Sequence, residues 1–97
     1  MIYFFSPKAG AELDSAFNYY EDIVEGLGYD LLGEVESVLE RLLEFPESAP
    51  LYTERIRKAV LHDFPFSILY SFSDDTLRIT AFMHQKRRPD YWKDRID

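Results

Sequence analysis

Apolar residues in the first half of the chain form one short continuous run and then recur at the spacing of a helix. Residues 2–5 are β-branched or aromatic and end at Ser6-Pro7, which predicts a strand followed by the start of a helix. Apolar positions then recur at spacings of three and four, which predicts an amphipathic helix. These positions are Leu13, Ala16, Phe17, Tyr20, Ile23, Val24 and Leu27.

A second helical stripe follows a pair of glycines. Gly26 and Gly28 indicate the end of the first helix, because glycine accepts the left-handed backbone found there. Phe45-Pro46 ends the second helix, because the residue before proline disfavours the α region. The short connection predicts an antiparallel helical hairpin, and we expect Gly33 to pack closely against the first helix. The second stripe consists of Leu31, Leu32, Val35, Val38, Leu39, Leu42 and Leu43.

In the second half of the chain the side chains alternate in character with a period of two residues, which predicts three strands. They run from Arg55 to Leu61, from Phe66 to Phe72 and from Leu77 to His84. Because a turn joins each neighbouring pair, we expect an antiparallel sheet with the helical hairpin on one face. The predicted fold is α+β with the order β-α-α-β-β-β in a single domain, residues 1–97. The pairing position of the first strand stays open.

The same alternation assigns side chains to the two faces of the predicted sheet. The better-filled face is expected to pack beneath the helices. It contains Phe66, Ile68, Tyr70, Phe72, Leu77, Ile79, Ala81 and Met83. The opposite face is expected to be half-open and basic. It carries Arg78, Thr80, Phe82 and His84, joined by Arg55 and Arg57 where the pairing permits.

Composition allows a small core without covalent or metal support. Apolar residues make up 46% of the 97, which is ample for one domain. The chain has no cysteine and only two histidines, so we expect no disulfide, metal site or cofactor. The first residues resemble neither a signal peptide nor a membrane span, so we expect a cytoplasmic protein without membrane contact.

Charge is divided unevenly between the two halves. The net charge is −7, yet residues 1–54 carry two cations and twelve acids, whereas residues 55–97 carry nine cations and six acids. A basic half can mark a surface for an anionic partner. The overall acidity argues against general nucleic-acid binding, which favours a basic domain.

Several short motifs, spread over almost the whole chain, are similar to those of a known family. They are Tyr19-Tyr20, Gly26-Leu27-Gly28, Glu34-Val35-Glu36, Ile56-Arg57, Asp63 to Tyr70, and His84 to Arg95. Their order, together with the order of the predicted elements, resembles the ParE/RelE toxins of type II toxin–antitoxin (plasmid-stabilisation) modules. The Phe64-Pro65-Phe66 motif and the C-terminal residues look more like the ParE branch.

The resemblance implies a toxin that is neutralised by a cognate antitoxin encoded by an adjacent gene. It also implies one of two activities: poisoning of DNA gyrase, as in the ParE branch, or ribosome-dependent mRNA cleavage, as in the RelE branch. A folded relative that binds an antitoxin without being toxic is a third alternative. We favour a protein target, because the predicted strands carry only four cations, Arg55, Arg57, Lys58 and Arg78.

A metal-independent nuclease needs a base, an acid and cations around the scissile phosphate. A histidine can take either proton-transfer role near neutral pH, which points to His84. Tyrosine can stack on a base or donate a proton. The candidate catalytic residues are therefore His84, Arg57, Arg78, Arg87 and Tyr91.

A toxin that acts on a protein needs exposed anchors, for which tyrosine, tryptophan and arginine are the usual residues. An antitoxin segment is expected to lie as an amphipathic helix in a groove of the hairpin, or to add a strand to an open sheet edge. The candidate residues for binding a target or partner are Arg55, Arg57, Arg78, Arg87, Arg88, Tyr91, Trp92 and Arg95.

Overall fold

The computed structural model describes residues 1–95 and places two helices on one face of a four-stranded sheet. The α+β class and the predicted order of elements are confirmed. In chain order the elements are β1 (Ile2–Phe5), α1 (Pro7–Ile23), α2 (Leu27–Glu44), β2 (Arg57–Val60), β3 (Phe66–Ser73), β4 (Thr76–His84) and a short 3-10 helix (Lys93–Arg95). Neither α1 nor α2 is long and apolar enough to cross a lipid bilayer.

The sheet has the strand order β1-β4-β3-β2. The strands β2, β3 and β4 are antiparallel, as expected. β1 instead lies parallel to β4, with Ile2 opposite Thr76, so the sheet is mixed and the expectation of an antiparallel sheet holds only for the last three strands. Asp74 and Asp75 form the two-residue turn between β3 and β4, and both have the positive φ that a type I′ turn requires.

The helix boundaries differ from the prediction at the glycines. α1 begins as expected, because Ser6 Oγ accepts a hydrogen bond from the Ala9 N–H at 3.2 Å. Gly26 has a φ of +93°, and α2 begins at the next residue. Leu27 and Gly28 therefore belong to the second helix, whereas the sequence pattern assigned Leu27 to the first.

The close contact between the helices lies at Gly28. A Cβ atom on Gly28 would lie 2.7 Å from the Phe17 carbonyl oxygen, so only glycine fits there without a shift. The Gly28 N–H also donates to the Glu21 carboxylate at 2.7 Å. Gly33 is exposed, and a Cβ atom added to it would meet no other atom within 4 Å, so its predicted packing role is wrong.

A bulge in β4 changes which side chains face the helices. Leu69 pairs with Ala81, but the next residue of β3 pairs with Ile79, which leaves Thr80 as the extra residue. One extra residue moves every later side chain to the other face. Phe82 therefore joins the core beneath the helices, while Ala81 and Met83 lie on the opposite face. The face assignment of these three residues was wrong, and so was that of His84, which pairs with Phe66 on the helical side.

Two separate cores result from this arrangement. The larger lies between the helices and the sheet, where Leu31, Leu42, Ile68 and Leu77 are completely buried. The smaller lies on the opposite face, which the C-terminal segment covers instead of leaving it half-open. It contains Ile56, Leu69, Ala81, Met83 and Trp92.

Candidate partner-binding surfaces

A groove of about 680 Å³ lies between α1 and the C-terminal half of β4. We call it the α1 groove. One wall is a row of α1 residues spaced one turn apart, in which Tyr19 and Ile23 are 63% and 55% exposed. The row consists of Ala11, Ser15, Tyr19 and Ile23, with Glu12, Ala16 and Tyr20 beside it. The other wall contains Pro65, Phe66, Phe82, His84, Arg87 and Tyr91.

The groove exists because β1 covers only part of β4. The last paired residue of β1 is Phe5, opposite Ile79, and the chain then turns into α1. Within residues 1–95, the part of β4 from Thr80 to His84 has no strand beside it on this side. The C-terminal half of β4 thus presents an open edge to α1.

A carboxylate on α1 closes one end of this open edge. Glu12 accepts hydrogen bonds from the Phe82 N–H at 3.1 Å, from the Tyr91 hydroxyl at 2.7 Å and from Arg95 Nη1 at 2.8 Å. Arg95 Nη2 donates a second bond to the same carboxylate at 3.1 Å. We call this set the Glu12 clasp. It ties the C-terminal segment to α1. It also provides a hydrogen-bond acceptor for the backbone N–H of Phe82, two residues after the bulged Thr80.

The clasp changes the proton affinities of its members. Burial raises the pKa of Glu12, but the bonds from Arg95, Tyr91 and the Phe82 N–H together outweigh it, so the pKa lies below its ordinary value. Burial and the bond to Glu12 hold the pKa of Tyr91 well above its usual range. The hydrogen bond to Glu12 raises the pKa of Arg95. The clasp is therefore an ionised carboxylate held by a neutral phenol and a cation.

Glu12 was not among the candidate site residues predicted from the sequence. A signal was present, because Glu12 precedes the stripe residues Ala16 and Tyr20 by four and eight positions and so shares their side of the helix. Its partners lie about 70 residues or more further along the chain, and no local pattern indicates them.

Three of the five candidate catalytic residues lie together in the α1 groove. The Phe66 and His84 rings meet edge to face at 5.0 Å, and His84 Nδ1 accepts a hydrogen bond from the Lys86 N–H at 3.0 Å. The Arg87 guanidinium carbon lies 4.0 Å from the centre of the Tyr91 ring, a cation–π contact.

The other two candidate catalytic residues lie elsewhere. Arg57 donates to the backbone oxygens of Ala49 at 2.7 Å and Glu47 at 3.2 Å, so it holds the connector after α2. Arg78 packs over the Phe4 ring at 5.4 Å. Both line a second depression of about 570 Å³, together with Arg55 and Arg95, which we call the arginine pocket. The fold therefore divides the proposed nuclease residues between two sites.

The remaining candidates for partner binding differ in exposure. Trp92 is only 1% exposed, and its Nε1–H donates to the Pro89 carbonyl at 2.6 Å, so it stabilises the fold and is not on the surface. The Arg95 side chain is 12% exposed and belongs to the clasp. Arg88 is 84% exposed, with Asp90 3.9 Å away. Partner binding by Arg55, Arg87, Arg88 and Tyr91 stays a prediction.

A family model and a solved structure of a similar protein agree with the observed fold. A family model described as the ParE toxin of the type II toxin–antitoxin system parDE matches residues 3–89. A solved structure described as the chromosomal ParDE TA system from P. aeruginosa superposes with a TM-score of 0.61 and 18% sequence identity, covering 86% of this chain and 92% of that chain. No curated protein sequence matches the chain significantly. At this identity the structural match supports the fold alone, whereas the family model covers most of the sequence.

Proposed function

Because the chain belongs to the ParE toxin family of type II toxin–antitoxin systems, we propose that it is a cytoplasmic toxin. A cognate antitoxin, encoded by an adjacent gene, neutralises it, and its target is a protein such as DNA gyrase. The observation that carries the antitoxin part of this proposal is the α1 groove, because it combines exposed apolar side chains with a stretch of β4 that no strand covers on this side within residues 1–95.

The α1 groove suits an amphipathic segment of a protein partner. Exposed aromatic and aliphatic side chains that stand together on one helix are typical anchors for such a segment. Tyr19 and Ile23 are one turn apart and both are more than half exposed, so a partner would bury a continuous apolar strip. Arg87 lies at the other wall and offers a cation to an acidic residue on the polar side of that segment.

Co-purification of the toxin with the adjacent gene product tests this surface. The test variant is Ile23→Asp, which places a charge in the groove. The matched control is Val60→Asp, because Val60 on β2 is 54% exposed, almost the same as Ile23 at 55%, but lies outside the groove. Burial of an unpaired carboxylate at an interface costs several kcal/mol, or at least about a hundredfold in affinity.

We expect the wild-type chain and Val60→Asp to retain the partner, and Ile23→Asp to lose it while keeping its circular dichroism spectrum. Retention of the partner by all three proteins would exclude the groove as its binding site. Absence of a complex with the wild-type chain would remove the antitoxin proposal itself.

The target is proposed to contact the turn after β4. Lys86, Arg87 and Arg88 are all exposed there, and arginine is a frequent anchor in protein interfaces. A nuclease mechanism has less support, because Arg57 and Arg78 lie in the arginine pocket and not beside His84. The Tyr91 hydroxyl donates its hydrogen bond to Glu12, which leaves the hydroxyl poorly placed to donate to a leaving group.

Two assays separate the possible targets. In the first, the purified chain is added to DNA gyrase and supercoiling and cleavage complexes are measured; inhibition supports gyrase, and full activity at excess toxin removes it as the target. In the second, translating ribosomes are incubated with the chain and mRNA ends are mapped. Cuts at the ribosomal A site would replace the protein-target proposal with the nuclease alternative.

A further inference from the structure

The arginine pocket lies where the β3–β4 hairpin extends beyond the first residue of β2. Its walls carry guanidinium groups and its other polar side chains are hydroxyls. The cations are Arg55, Arg57, Arg78 and Arg95, and the hydroxyls belong to Ser71, Ser73 and Thr80. Guanidinium and hydroxyl groups are the hydrogen-bond donors that bind carboxylates and other oxyanions.

Three of these cations have no carboxylate of their own. Arg95 is paired with Glu12, but Arg55, Arg57 and Arg78 form no ion pair within residues 1–95. This is unusual for a chain with a net charge of −7, in which acids outnumber basic residues. The pocket therefore concentrates positive charge that the described part of the chain leaves unneutralised.

Two of the unpaired cations are already held in place. Arg78 packs over Phe4, and Arg57 lies 5.9 Å from the centre of the Phe72 ring while bonding to the connector carbonyls. Side chains fixed in this way lose less conformational entropy when they bind a ligand. Arg55 is exposed at the rim. Because Arg57 pairs with Tyr70, its guanidinium lies on the helical side of the sheet, where it bonds to the connector. The pocket thus offers one fixed guanidinium, that of Arg78, and one that is free to adjust, that of Arg55.

We propose that the arginine pocket binds the carboxylates of an acidic segment from a protein partner. Charge complementarity supports an acidic peptide, since arginine forms paired hydrogen bonds with carboxylates. A nucleic acid fits less well, because a regular array of phosphates needs a broad basic surface, whereas this chain has a net charge of −7 and only a small cluster of cations here. The pocket shares no lining residue with the α1 groove, so this inference does not rest on the antitoxin proposal.

Fluorescence anisotropy with labelled hexaglutamate at low salt tests the proposal. The variant Arg55→Gln/Arg78→Gln removes two unpaired cations from the pocket. The control Lys8→Gln/Lys93→Gln removes the same charge from two exposed positions outside the pocket. Because each charge-assisted hydrogen bond contributes about 1.5–3 kcal/mol, we expect the pocket variant to bind at least about tenfold more weakly. The control should change affinity by no more than about twofold to threefold.

Three results would overturn the proposal. The first is equal weakening by both variants, which would mean that only the total charge matters. The second is tighter binding of a single-stranded oligonucleotide of equal charge, with displacement of hexaglutamate from the wild-type chain. The third is self-association in sedimentation experiments that Arg55→Gln/Arg78→Gln abolishes, since a second copy would then occupy the pocket. Circular dichroism and thermal melting confirm that both variants are folded.

Discussion

The two faces of the sheet are covered in different ways. One face lies beneath two helices of 17 and 18 residues, with many completely buried aliphatic side chains. The other is covered by the short segment after β4, through one buried indole and the Glu12 clasp. The helical face depends on many small contributions, whereas the other depends on a few side chains. We therefore expect the first to set global stability and the second to open more easily.

The largest expected effect comes from the helical face. Leu42 is completely buried in α2, so Leu42→Ala removes buried apolar surface and leaves a cavity. Such changes lower the free energy of unfolding by about 2–5 kcal/mol. Urea denaturation followed by circular dichroism measures the loss, and Leu51→Ala, at an exposed position, is the control. A loss no greater than that of the control would contradict the assignment of the main core.

A smaller and more local effect is expected on the opposite face. Trp92→Ala removes the largest side chain of the second core and should lower the free energy of unfolding by about 3 kcal/mol. This is at the lower end for aromatic truncations, because a short surface segment can shift to fill the space. Hydrogen exchange should show protection lost first in residues 85–95 and in neighbouring β4, with α2 still protected. Simultaneous loss in α2 would mean that the two faces unfold as one unit.

An intermediate effect is expected where the two helices touch. Gly28→Ala should lower stability by about 1–3 kcal/mol, because its Cβ would meet the Phe17 carbonyl oxygen. Gly33→Ala on the same helix should instead raise it by about 0.5–1 kcal/mol, because the site is exposed and alanine is the better helix former. Thermal melting measures both changes. Equal shifts in one direction would show that the two helices do not touch at Gly28.

The Glu12 clasp is expected to contribute less than either core. Glu12→Gln keeps the shape of the side chain but removes its charge, so the bonds from Arg95 and Tyr91 weaken. We expect a loss of about 1–2 kcal/mol. Asp14→Asn, an exposed carboxylate on the same helix, is the matched control and should change stability by less than about 0.5 kcal/mol. Equal effects of the two substitutions would leave the clasp without an energetic role.

The clasp should also give the stability a distinct dependence on pH, which is the smallest of these effects. The pKa of Glu12 is lower in the folded chain than its ordinary value of 4.5, so its contribution is fully present above pH 4.5. The contribution is lost as the pH falls through the folded pKa. Trp92 is the only tryptophan, and its fluorescence reports on the segment that the clasp holds. The stability of Glu12→Gln should lack this part of the dependence on acid pH. Identical acid titrations of the wild type and Glu12→Gln would contradict the assignment of this effect to the clasp.

Sequence patterns predicted the helical face well because its contacts follow local periodicity. The stripes of α1 and α2 and the alternation of β3 place Leu31, Leu42, Ile68 and Tyr70 in the core, as the structure does. The resemblance of the motifs to ParE toxins also agrees with the family model. The parallel position of β1 was not predictable, since a four-residue strand carries no signal for its neighbour.

The opposite face was predicted poorly, for two physical reasons. The bulge at Thr80 breaks the period of two, so Ala81, Phe82 and Met83 were assigned to the wrong faces. The Glu12 clasp joins residues about 80 positions apart, and such contacts leave no periodic trace. The candidate residues were consequently divided: His84, Arg87 and Tyr91 line the α1 groove, while Arg57 and Arg78 line the arginine pocket.

Growth of a bacterial host after induction tests the proposed function most directly. The gene is induced alone and together with its neighbour, and the Ile23→Asp and Val60→Asp variants are treated in the same way. We expect growth arrest by all three proteins alone, with rescue by the neighbour for the wild type and Val60→Asp but not for Ile23→Asp. Normal growth while the folded wild-type chain accumulates, or arrest that the neighbour does not relieve, would contradict the account.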